Sequence, residues 1–176
     1  MKTIAKIFAI FLIVAAIFLV YFLRGSHQDN KGIYQPREWV KVIRVVDGDT
    51  LEIESLAATV GVKREKVRLI GINTPETVDP RKPIECFGKE ASVKTKELVL
   101  GKSVYLEKDI ENRDKYGRLL RYVWLGGKML NLTLMERGYA QIETVPPNVK
   151  YARQFKEAAE KARASQLGLW SICKLF

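Results

Sequence analysis

The chain has 176 residues, with 30 lysines and arginines against 20 aspartates and glutamates, a net charge of +10, one histidine and two cysteines. That length suits one domain of ordinary size with one appendage. The lone histidine, His27, argues against imidazole acid–base chemistry and a Ser-His-Asp triad, and the cysteine count argues against a Cys/His zinc site.

The appendage comes first. Ile7–Leu23 is an unbroken run of seventeen Ile, Phe, Ala, Leu, Val and Tyr residues, and Ile4, Ala5 and a snorkelling Lys6 extend it towards the thickness of a bilayer. A signal peptide or a single transmembrane helix fits. Tyr21–Ser26 (YFLRGS) offers neither a small-x-small cleavage site nor a lipidation cysteine, which favours an uncleaved membrane anchor over residues 1–24. Lys2 and Lys6 precede the run and Arg24 follows it, so the positive-inside bias places the rest outside the cytoplasm, tethered to the cell membrane or, after cleavage, secreted. Residues 25–36 read as a polar linker and 37–176 as the folded domain.

Beyond residue 31 the net charge is +7, because Lys2, Lys6, Arg24 and Lys31 are lost against Asp29 alone. A basic domain suits a polyanion, since phosphate contacts release condensed counterions. A solvated basic surface, or attraction to anionic lipid or a wall polymer beside the anchor, accounts for the same charge. Outside the cytoplasm, Cys86 and Cys173 read as a disulfide more readily than as two reduced thiols. Closing so long a loop would stabilise by roughly 4 kcal/mol.

Glu38–Val46 and Thr50–Glu54 alternate around an Asp47-Gly48 turn, a hairpin signature. A third strand is expected at Lys66–Ile72, ended by Asn73-Thr74-Pro75. Gly88–Leu100 is an amphipathic helix with Ala91, Thr95, Leu98 and Val99 on one face and Gly101 as its stop. Ser103–Asp109 and Leu119–Leu125 are strands. A short helix follows from the candidate cap Asn131 to Gly138, then a longer one from Asn148 through Gln166, with Tyr151, Phe155, Ala158, Ala159 and Ala162 as its buried stripe. Five short strands without regular βαβ alternation indicate an α+β fold built on a small barrel.

Carboxylates and guanidiniums remain for chemistry. They cluster at three turns or strand ends: Asp47-Gly48-Asp49-Thr50; Arg68 with Asn73-Thr74-Pro75-Glu76-Thr77; and Asp114-Lys115-Tyr116-Gly117-Arg118. Each alone is an ordinary exposed turn. Arg68 is more telling because it interrupts the apolar stretch Val67-Arg68-Leu69-Ile70: if Val67 and Leu69 face a core, Arg68 faces away from it.

The order and wording of VVDGDT, RLIGINTPET, ECFGKEAS, DKYGR and a closing GLW resemble the staphylococcal-nuclease-like, or thermonuclease, family from about Val40 to Trp170. The resemblance implies a five-stranded OB-fold barrel with about three helices and Ca²⁺-assisted hydrolysis of DNA or RNA phosphodiesters to 3′-phosphate ends by a monomer. By position it implies Arg68, Glu76 and Arg118 as the catalytic set, Asp49, Asn73 and the Thr74 carbonyl as Ca²⁺ ligands, and Lys115 and Tyr116 as substrate contacts. Two permanently cationic forks suit the charge that builds on a phosphoryl group under in-line attack. Asn73 stands where the family's type member has a ligand aspartate, and Thr144 and Pro146 stand where it has nucleotide-flanking tyrosines. The runner-up is a non-catalytic, membrane-tethered nucleic-acid-binding OB module.

Overall fold

The computed structural model describes residues 38–55, 62–78, 80, 81 and 83–173, and the chain divides into two units, residues 1–35 and 36–176. The apolar run Ile7–Leu23 and the linker 25–36 lie outside the described residues. Among the described residues no helix is long and apolar enough to cross a membrane.

The domain is α+β. Strands β1 (Glu38–Val45), β2 (Thr50–Ser55), β3 (Arg64–Leu69), β5 (Ser103–Glu107) and β6 (Leu119–Leu125) are joined in the order β3-β2-β1-β5-β6. A parallel pairing of β3 with β6, Arg68 opposite Leu120, closes the sheet into a five-stranded OB-fold barrel. Alternation along each strand sends Val40, Val42, Leu51, Ile53, Val67, Leu69 and Val123 inside, all at most 1% exposed. Each such side chain contributes about 2 kcal/mol of burial free energy. Closure leaves β2 and β3 without a free edge, so the residues at their ends, Asp49 and Arg68 among them, sit on a rigid rim.

The expected strand Lys66–Ile72 is two strands. β3 stops at Leu69, the chain turns, and β4 (Gly71–Asn73) pairs instead with β8 (Gln141–Glu143), Gly71 opposite Glu143. The cause is local: Gly71 has φ +82°, and a Cβ there would lie 2.2 Å from the buried ring of Phe155. The pairing partner, 70 residues downstream, is invisible to local pattern.

Helix α1 (Gly88–Val99) buries Ala91, Ser92, Thr95 and Val99, with Leu98 only half-buried. Helix α2 (Leu130–Glu136) follows β7 (Lys128–Met129), and α3 (Ala152–Ala164) buries Phe155, Ala158 and Ala162. A short α4 (Leu169–Ile172) precedes Cys173, which is bonded to Cys86 at an S–S distance of 2.08 Å.

The expected cap Asn131 and the expected helix start Asn148 have other roles. Asn131 lies inside α2, fully buried, accepting the Val123 N–H at 3.0 Å and donating to the carbonyls of Ile70 at 2.9 Å and Arg121 at 3.3 Å. A buried amide that satisfies three backbone groups is worth more there than at an exposed helix end. Asn148 precedes α3 and brackets Glu111, accepting its N–H at 2.8 Å and donating to its carbonyl at 3.4 Å.

Replacing Gly71 with alanine combines positive-φ strain with a clash against Phe155. It should destabilise the domain by at least about 2 kcal/mol, read as a lowered thermal unfolding midpoint. An unchanged midpoint would contradict the close approach.

Candidate active site

Three chain segments meet on the rim. The β1–β2 turn carries Asp47 and Asp49. Asp47 accepts the Asp49 N–H at 3.1 Å, and the Leu69 N–H donates to the Asp49 carbonyl at 2.9 Å, which locks the turn to the end of β3. The Thr95 hydroxyl of α1 donates to the Gly48 carbonyl at 2.7 Å and braces the turn from behind.

The Asp49 carboxylate is the hub. One oxygen accepts the Thr50 hydroxyl at 3.1 Å; the other accepts the Thr74 N–H at 2.8 Å and hydroxyl at 3.1 Å and lies 2.8 Å from an Arg68 terminal nitrogen. Both side chains are largely removed from water, Asp49 at 7% exposure and Arg68 at 12%. Arg68 also donates to the Ile72 carbonyl at 3.0 Å, to Asn73 Oδ1 at 3.1 Å and to the Glu143 carboxylate at 2.8 Å. Burial, and then the charge of Asp49, push the Asp47 carboxyl up to about 6.

Arg118 comes from the loop between β5 and β6. Asp114 organises that loop, accepting the N–H groups of Tyr116 and Arg118, both at 2.9 Å, and the Arg118 Nε at 2.6 Å. Burial raises the Asp114 carboxyl, but the Arg118 contacts outweigh it and hold it below its ordinary value. Arg118 reaches the Thr50 hydroxyl at 3.4 Å and lies over the exposed Tyr116 ring, 5.4 Å from its centroid; Lys115 lies 5.1 Å from the same centroid. From below, Arg113 pins the loop to β3 by two bonds to Glu65 at 2.9 and 3.0 Å and one to the Gly117 carbonyl at 2.6 Å.

Glu76 sits in the loop after β4, where its Oε1 accepts the N–H groups of Thr77 at 2.7 Å and Val78 at 2.6 Å. Asp49, Arg68, Asn73, Thr74, Glu76, Tyr116 and Arg118 all line one cavity of about 500 Å³. Lys115 lines an adjoining cavity of about 430 Å³, which shares Arg68, Tyr116 and Arg118. Val145 and Asn148 line that second cavity, whereas Thr144 and Pro146 line neither. Asp47, Arg81, Glu85 and Glu143 are site residues beyond the sequence-derived set. Asp47 had a signal in its turn motif; Glu143 had none, because only the β4–β8 pairing brings it to Arg68.

A closed barrel whose rim sets two guanidinium forks beside a carboxylate-lined cavity is a site for phosphate-bearing substrates. The family described as staphylococcal nuclease homologue matches residues 66–172. A thermonuclease of Staphylococcus intermedius is 39% identical over 171 residues, covering 97% of this chain and 99% of its own length. A thermonuclease of Staphylococcus hyicus is 41% identical over 131 residues, 74% of this chain and 75% of its own. Endonuclease YncB of Bacillus subtilis is 38% identical over 134 residues, 75% of this chain and 61% of its own. The chain belongs to the staphylococcal nuclease family.

The hydrogen bonds from Arg113 and then Lys63 hold the Glu65 carboxyl down at about 2, against an ordinary 4.5. A folded-state value below the unfolded one means stabilisation that is full above 4.5 and lost as pH falls towards 2. Thermal midpoints should therefore drop across that window in the parent protein, and drop less steeply in Glu65→Gln. Parallel profiles would contradict the pairing.

Proposed function

We propose that the chain is a Ca²⁺-dependent endonuclease that cleaves DNA or RNA to 3′-phosphate ends, with Arg68, Glu76 and Arg118 as its catalytic residues. As a member of the family it is a hydrolase acting on phosphodiester bonds. The observation that carries the finer reading is the convergence of Asp49, Arg68, Glu76 and Arg118 on one cavity.

Arg68 and Arg118 are the groups that meet a phosphodiester. Their planar forks bind equatorial oxygens bidentately and stabilise the charge that grows there during in-line displacement. Arg118 is oriented by Asp114 through its Nε. Arg68 is oriented by Asp49 and Asn73. Glu76 takes the proton of the attacking water or positions that water; a carboxylate beside two arginines is what hydrolysis requires and simple binding does not. Lys115 and Tyr116 contact the strand on either side of the scissile phosphate.

Asp49, Asn73 Oδ1 and the Thr74 carbonyl are hard oxygen donors of the kind that Ca²⁺ takes, with no thiolate or imidazole among them. Among the described residues no three His, Cys, Asp or Glu side chains form a metal cluster. When bound, Ca²⁺ offsets phosphate charge and orients the substrate. With one charged ligand in place of two, affinity should be weak.

The run Ile7–Leu23 supports a single-pass anchor that holds the enzyme outside the cytoplasm at the cell membrane.

Full-length protein incubated with single-stranded DNA should cleave it with Ca²⁺ and stop with EGTA. Arg118→Ala should lose about a hundredfold or more in kcat. Binding without Ca²⁺-dependent cleavage would favour the binding-module alternative.

A further inference from the structure

Glu76 occupies a stretch that belongs to no helix or strand, directly after Pro75, which brings no N–H to any ladder. Its backbone is nevertheless bonded in both directions to one residue. The Glu76 N–H donates to the Glu85 carboxylate at 2.9 Å, and the Glu85 N–H donates back to the Glu76 carbonyl at 2.9 Å. This reciprocal pair closes the intervening loop on itself.

Glu85 is in turn held from behind. Its neighbour Cys86 is bonded to Cys173, at the end of α4. That end is docked on the body, with the Leu169 N–H donating to the Gly138 carbonyl at 2.9 Å and the Leu169 side chain buried. Phe87 packs on Tyr139 with ring centroids 5.3 Å apart. The Glu85 carbonyl accepts the Gly88 N–H at 3.0 Å as α1 begins. A Cβ on Gly88 would lie 3.0 Å from the Pro75 carbonyl oxygen and 3.1 Å from that of Glu76, so the loop is seated against the start of α1.

We propose that Glu85 is a positioning residue of the reaction, its carboxylate holding the Glu76 backbone while the Cys86–Cys173 disulfide holds Glu85. The inference rests on the catalytic role given to Glu76 above. The Glu76 carboxylate is fixed to its own loop through the Thr77 and Val78 N–H groups, so it goes wherever the loop goes. A shift of the loop by a fraction of an ångström would leave the arginine forks untouched and misplace the group that handles water. Misplacement on that scale costs catalysis, not binding.

The test is steady-state cleavage of single-stranded DNA by full-length variants, each assayed at a temperature where its near-ultraviolet circular dichroism reports a folded domain. Glu85→Ala should lose about tenfold in kcat, with KM and the half-saturating Ca²⁺ concentration changed less than about twofold. Glu85→Gln keeps an oxygen that can accept the Glu76 N–H and should recover kcat to within about threefold of the parent. Cys86→Ser/Cys173→Ser should lower kcat in the same sense, and adding Glu85→Ala to it should cost less than in the parent, because both changes act through one loop. An unchanged kcat in Glu85→Ala, a loss that Gln does not recover, or an effect confined to KM would overturn the proposal while Glu76→Gln is inactive. Glu76→Gln cleaving at the parent rate would overturn it together with the catalytic role of Glu76.

Discussion

The ion pair between Asp49 and Arg68 joins what the barrel separates in sequence. Asp49 sits in the β1–β2 turn, Arg68 at the end of β3, and their 2.8 Å contact is supplemented by two bonds from Thr74 to the same carboxylate oxygen. A carboxylate removed from water needs polar partners, and Arg68, Thr50 and Thr74 supply them. Removing either member of the pair would strand the other, at a cost of about 3–5 kcal/mol. The hub is therefore structural before it is chemical. The place of Asn73 and the path of the chain into the Glu76 loop both follow from where Thr74 is pinned.

The same contacts carry a constraint on function. The Arg68 guanidinium already donates to Asp49, Ile72, Asn73 and Glu143. A phosphate can claim the fork only by exchanging with some of these acceptors. Glu143, half-exposed and on the short β8, is the partner most easily displaced. Arg118 is held differently: Asp114 grips its Nε, the loop backbone closes around Asp114, and Arg113 ties that loop to Glu65. One arginine is thus shared with the proposed cation ligands and the other is mounted independently, a division that lets the two forks respond differently to metal.

Much of this was legible in the sequence, and the exceptions have physical causes. The barrel strands could be read because alternating apolar residues mark each one. Arg68 stood out because a charge between Val67 and Leu69 has only the outer face to occupy. The turn motifs around Asp49, Glu76 and Arg118 were each weak alone and gained force only from their order. What escaped were features fixed by distant partners. The break at Gly71 depends on Phe155, and Glu143 reaches Arg68 through the β4–β8 pairing. Asn131, with the composition of a helix cap, spends its amide on the backbones of β6 and the turn between β3 and β4. Glu85 lay inside a motif that local pattern could not connect to Glu76, since the connection is two backbone-directed hydrogen bonds and a disulfide to the far end of the chain.

The proposed sharing of Asp49 and Asn73 between Arg68 and a cation has a thermodynamic signature. A phosphate that draws Arg68 away releases acceptors for the cation, and linkage makes the effect reciprocal. Calorimetric titration of full-length Glu76→Gln with Ca²⁺, alone and with a saturating single-stranded DNA oligonucleotide, measures it directly. Ca²⁺ should bind at least about fivefold more tightly with the oligonucleotide present. Equal Ca²⁺ affinities in the two titrations, or no Ca²⁺ binding in either, would contradict a nuclease site organised around the Asp49–Arg68 pair.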